Sequence, residues 1–190
     1  NRKRCRTTLA VKLSTVAKIA ARIQALPVGL DIRALLVAGV VNCKALYACA
    51  ATPPGKRDLQ RLRALCCRAI WGQTHRQRAP EVVFSMFAAG HRTDPIQNYS
   101  CSTICTCRRI LRRHPELVPV LTRVLQSRAE APDNDNVGGP GKALLEALQL
   151  SGLELGTADL ALRRSGQQEE GSTLGLLDDR TGPFEHMIRD

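Results

Sequence analysis

Between Thr8 and Leu26, apolar residues recur at Leu9, Leu13, Val16, Ala20 and Ile23, four and three apart in turn, while Lys12, Lys18 and Arg22 fall elsewhere on the wheel. Only a helix, with 3.6 residues per turn, gathers such positions on one side, so the pattern predicts an amphipathic helix that Pro27 ends. The period returns at Leu59, Leu62, Leu65, Cys66, Ala69 and Ile70, within a helix expected from about Arg57 to Trp71, after the Pro53-Pro54-Gly55 turn. Between the two, Asp31 is the expected cap of a helix reaching about Ala50. Its Leu35, Leu36, Val37, Val40, Val41, Ala45 and Leu46 leave almost no polar face, which predicts a place in the middle of the core. Further helices are expected near Pro80 to Ala89, from Pro95 to Arg113 with Asp94 as its cap, and from Pro115 to about Arg128. Strict strand alternation and internal repeats are absent. The expected class is all-α, a small bundle of about five to seven helices with a flexible acidic C-terminal tail.

Charge divides the chain. Residues 1–128 carry 23 Lys and Arg against 5 Asp and Glu, a formal +18, whereas residues 129–190 carry 5 against 12, a formal −7. The organisation expected is therefore a basic helical domain over 1–128, a linker over 129–140 rich in Pro, Gly, Asp and Asn, and a short helix with an acidic tail over 141–190. So large a positive excess repels itself unless a polyanion screens it, and arginine forks well onto phosphate. At helical spacing Arg57, Arg61 and Arg68 share one row, and Arg108, Arg109, Arg112 and Arg113 crowd another. With six aromatic residues in the chain, base stacking contributes little. The partner expected is thus nucleic acid held by its backbone, a duplex or RNA–DNA hybrid, with weak sequence preference. The competing readings are a solvated basic face, or a basic protein-interaction domain neutralised by its own acidic tail or by a protein.

No catalytic centre emerges. Cys101, Cys105 and Cys107 with His114 form the one set that invites zinc, as a small zinc-dependent binding module. On a continuous helix, however, Cys101 and Cys105 lie about 40° apart while Cys107 and His114 fall on the other side, so the four meet only if the helix breaks. The eight cysteines read mainly as reduced thiols, since no secretory context accompanies them. Neither His75 nor His91 can be placed beside a thiol as a base. Leu176-Leu177-Asp178-Asp179 has the paired aspartates of a two-metal site, but such a pair needs a tight hairpin between apolar strands and a third carboxylate from an earlier strand, and here Arg180-Thr181-Gly182 follows directly. No apolar run reaches the roughly 18 residues of a membrane span. The opening Asn1-Arg2-Lys3-Arg4-Cys5-Arg6 has neither an initiator Met nor a signal-type apolar core; it reads as a piece of a longer protein and suits a nuclear import signal, giving a nuclear or cytoplasmic expectation.

Several short runs, taken in order, resemble a known family: Lys44-Ala45-Leu46-Tyr47, Leu59-Gln60-Arg61-Leu62-Arg63, Arg68-Ala69-Ile70-Trp71-Gly72, Pro80-Glu81-Val82-Val83, Gly90-His91-Arg92-Thr93-Asp94-Pro95, and Gly139-Pro140 with Leu144-Leu145. Over about residues 7 to 150 the chain resembles the segment after the catalytic palm of LINE-like (non-LTR) retrotransposon reverse transcriptases. The resemblance implies that the first helices correspond to the thumb, which grips the template–primer duplex. It also implies that the fingers and palm, with the Mg-binding aspartates of an RNA-directed DNA polymerase, lie upstream of Asn1, so that no cofactor is expected in this chain. Ala48 departs from the pattern, standing where the family usually has Gly. The cysteine-rich stretch from Cys101 is unusual for it, and the residues past Gly156 have drifted from it.

Overall fold

The computed structural model describes residues 8–72, 79–87, 90–130, 139–156, 160–165 and 174–177. Expectations for the basic start, His75, the linker over 131–138, and Asp178, Asp179 and the acidic tail after them lie outside these residues. The described chain is mostly helical, as the periodicity required. It divides into two compact units, 1–99 and 100–190. That boundary falls inside a helix, whereas the change in charge comes near residue 128; packing and composition divide the chain at different places.

In the first unit, α1 (Thr8–Ala25) packs most extensively on α4 (Lys56–Trp71). The buried residues of α1 are Leu9, Val16, Ala20 and Ile23, and those of α4 are Leu59, Leu62, Cys66, Ala69 and Ile70. Each Leu, Val or Ile among them contributes about 1.5–3 kcal/mol when fully withdrawn from water. Asp58 lies in the first turn of α4, where a carboxylate favours the helix dipole. Gly72 ends the helix at φ +92°, a left-handed conformation that suits glycine, and its N–H donates to Arg68 O.

Between α1 and α4 run α2 (Leu30–Leu36), a π-helical segment (Val37–Asn42) and α3 (Cys43–Leu46), without interruption. Gly29 occupies the N-cap and no side chain caps the helix, so Asp31 sits in the first turn instead of capping it. Along the rod burial follows Val37, Val41 and Ala45, none of them exposed, and Cys49 past the end of α3 is buried too. In a regular α-helix a four-residue step drifts by about 40°, so two steps would carry the stripe about 80° around the rod. The wider π turn takes up part of that drift and holds the stripe on one side. The expectation that this rod lies in the middle of the core is not met: Ile32, Leu35 and Val40 are 51, 67 and 44% exposed. An apolar circumference specified burial all round, but among the described residues α1, α4 and α6 cover the rod while Ile32, Leu35 and Val40 stay exposed. After α3 the chain turns at Ala48, whose φ is +67°.

The unit is completed by α5 (Pro80–Ser85), the single turn α6 (Gly90–Thr93) and the start of α7 (Pro95–Arg113). As expected, α7 begins after an Asp94 cap: the Ile96 N–H donates to Asp94 Oδ1 at 2.9 Å.

In the second unit, α7 is followed by a 3₁₀ turn (Pro115–Leu117), α8 (Val118–Glu130) and α9 (Gly139–Leu150). Past α9 the sequence shows no alternation, yet β1 (Leu153–Leu155), β2 (Ala161–Arg164) and β3 (Leu174–Gly175) form a small antiparallel sheet in that order. Leu153 pairs with Arg164, and Ala161 with Gly175. Strands of two to four residues are too short to show a period in sequence. Leu153 and Leu162 in these strands and Leu176 just past β3 are all buried, and β1 packs on α9. Among the described residues no helix is long and apolar enough to cross a membrane.

Candidate nucleic-acid interface

At about 100° per residue, Arg57, Arg61 and Arg68 fall within about 40° of one another on α4, opposite its buried stripe. All three are exposed, Arg61 to 72% of its side chain. The carboxylate beside this row is Asp58, half-buried and 3.6 Å from the exposed Arg61 one turn away, a long i,i+3 pair of small energetic weight. On α1, Lys18 and Arg22 are exposed as well.

The other face of α4 uses arginine differently. Arg63 reaches Asp94 with Nε at 3.0 Å and Nη2 at 2.7 Å, a forked pair, and donates through Nη1 to Glu81 at 2.6 Å. The Arg63 and Asp94 side chains are 14 and 5% exposed. Burial works against the charge on Arg63, but the hydrogen bonds and charges of Asp94 and then Glu81 outweigh it and raise the guanidinium above its ordinary range. Glu81 is held below the ordinary carboxylate range, first by its own backbone N–H and then by Arg63.

Behind this pair, Asn42 is fully buried. Its amide donates to Arg92 O at 2.8 Å and Thr93 O at 2.9 Å, and its Oδ1 accepts from the Cys66 thiol at 3.4 Å. Burial, and then the charge of Asp94, push the Cys66 thiol well above its usual range, so it serves as a neutral donor. Arg33 is structural too, donating to Leu26 O at 2.9 Å and Ile70 O at 3.4 Å. None of these roles is visible in charge counts; the one local signal was Asp94 before Pro95.

The second arginine row is not uniform. Arg109, Arg112 and Arg113 are exposed on α7, but Arg108 is only 7% exposed and is drawn off the surface face expected for it. On the wheel it lies about 40° from Ile104 and 60° from Leu111, both buried, so the interior reaches its stem.

The proposed zinc ligands are not gathered. The helix runs unbroken through Cys101, Cys105 and Cys107, and among the described residues no three His, Cys, Asp or Glu side chains come together as a metal would need. Burial pushes the Cys107 thiol up to about 11, which disfavours the thiolate that zinc requires. His114 Nδ1 instead faces Glu116 Oε1 at 3.0 Å.

Beside the Arg57/Arg61/Arg68 row, α1 and α4 leave an open groove of about 420 Å³. Leu13, Ala17, Ala64 and Leu65 form its floor, and Arg61 and Arg68 its rim. Leu13 and Leu65 belong to the apolar stripes read from sequence, yet both are half-buried because they line this groove. No protein family model, curated protein or solved structure matches the chain.

Proposed function

We propose that this chain is a nucleic-acid-binding part of a LINE-like retrotransposon reverse transcriptase, the segment after the palm, and that it grips the template–primer backbone without a polymerase centre of its own. The observation that carries this reading is the exposed Arg57/Arg61/Arg68 row on one face of α4, within a basic stretch of formal charge +18. Arg109, Arg112 and Arg113 are the further candidates; Arg108, being buried, is dropped from the grip.

Two details support the family part of the reading. Three of the runs that carry the resemblance each supply one member of a single ion-pair cluster: Arg63, Glu81 and Asp94. Ala48, standing where the family usually has Gly, adopts φ +67°, the conformation for which glycine is suited.

Binding of duplex DNA and RNA–DNA hybrid, followed by fluorescence anisotropy across a salt series, tests the grip. A steep fall of affinity with salt, alike for unrelated sequences, is the expected result. Absence of binding at low salt overturns it.

A further inference from the structure

The groove beside the arginine row is lined mainly by carbon, and a sugar–phosphate backbone has charge for its rim but no apolar side chain for its floor. A peptide helix has both. Laid along α4, such a helix advances at the same rise per residue, so carboxylates four and seven residues apart fall opposite Arg57/Arg61 and Arg61/Arg68, at about 6 and 10.5 Å. Apolar side chains three or four positions from those carboxylates then come down on Leu13, Ala17, Ala64 and Leu65. The intrachain contact of Arg61, Asp58 at 3.6 Å, is long, and the Arg61 end of it lies in solvent, where an incoming carboxylate can compete for it.

We propose that the α1–α4 groove is a docking site for an acidic amphipathic helix of a protein partner, with apolar residues on the floor and carboxylates at Arg61 and Arg68. Because those arginines also belong to the proposed nucleic-acid grip, the two ligands exclude each other. The groove's own case rests on its shape, its apolar floor and its charged rim, and stands without the nucleic-acid reading.

The test uses the full chain and two labelled synthetic helical peptides. One carries Glu at positions i, i+4 and i+11 with Leu on the adjoining face; the other keeps every Glu and has Gln for each Leu. Two variants, Ala64→Gln and Ser14→Gln, fill the groove at exposed positions without changing charge, and circular dichroism checks their folding. The Leu peptide should bind the native chain at least about tenfold more tightly than the Gln peptide, and each variant should remove about that factor. Neither variant should alter duplex affinity, and duplex should displace the Leu peptide. No binding of the Leu peptide, equal binding of both peptides, or unchanged affinity in both variants overturns the proposal. Failure of the native chain to bind duplex refutes the nucleic-acid grip alone and leaves the peptide comparison standing.

Discussion

Arg61 and Arg63 stand two residues apart on α4 and are put to opposite uses. The inward-turned Arg63 joins Asp94 and Glu81 across three elements of the first unit, while Arg61 stands in solvent with Arg57 and Arg68. The buried arginine has its partners within the chain. The exposed ones face solvent, Arg61 with Asp58 3.6 Å away on its own helix. The same contrast recurs on α7, where Arg108 is buried beside exposed Arg109, Arg112 and Arg113. A count of positive charge treats these residues alike, yet only the outward set can respond to salt or ligand, and only the inward set should govern stability.

Substitutions on the two faces can separate these roles. The largest effect is expected from Arg63→Ala, which leaves the Asp94 carboxylate buried without its forked partner; urea unfolding should show a loss of about 3 kcal/mol. The protein that remains folded should bind duplex as before. Undiminished stability with lost binding would break the division between the faces.

Next in size, replacing Arg57, Arg61 and Arg68 together by Ala should leave stability within about 0.5 kcal/mol while lowering the slope of log affinity against log salt by about three. A thermal melt and the anisotropy salt series read the two quantities separately.

Ala48→Gly touches neither face. It relieves a left-handed backbone at φ +67° and should stabilise the first unit by up to about 1 kcal/mol, the gain being limited by the extra freedom glycine has when unfolded. Equal binding in this variant would make it a control for the other two.

The smallest effect concerns Glu81. Its folded pKa is lowered, so its contribution is present above the unfolded carboxylate value of about 4.3 and is lost as pH falls through the lower folded value. Glu81→Gln should remove that part of the acid dependence of the melting temperature and leave neutral-pH binding unchanged.

Much of the first unit was legible from spacing alone. The stripes of α1 and α4, their ends near Pro27 and Gly72, and the Asp94 cap all follow from local rules, because helix period and capping chemistry act over one or two turns. The arginine row on α4 is of the same kind. What sequence could not show depends on contacts distant along the chain. Arg63 sits at the edge of an apolar sector like any flanking arginine until a carboxylate 31 residues away is folded against it. Asn42 looks like a polar interruption in an apolar rod until its amide meets the backbone of residues 92 and 93. The apolar rod itself misled because composition does not say on how many sides a helix will have neighbours.

The π-helical segment has a consequence for how the chain tolerates insertion and deletion. A π turn amounts to an α-helix holding one residue more than its length requires, so losing one residue there shortens the loop of backbone without rotating the helix on either side. Gly39 lies in that segment, exposed, and a Cβ there would meet nothing within 4 Å beyond its own stretch of helix. Elsewhere in the first unit's long helices, a single deletion would turn the following stripe by about 100° and take it out of register with its neighbours. Between Val37 and Asn42 the reading can slip by one and both flanks keep their facing, which makes this segment the place where the helical rod carries spare length.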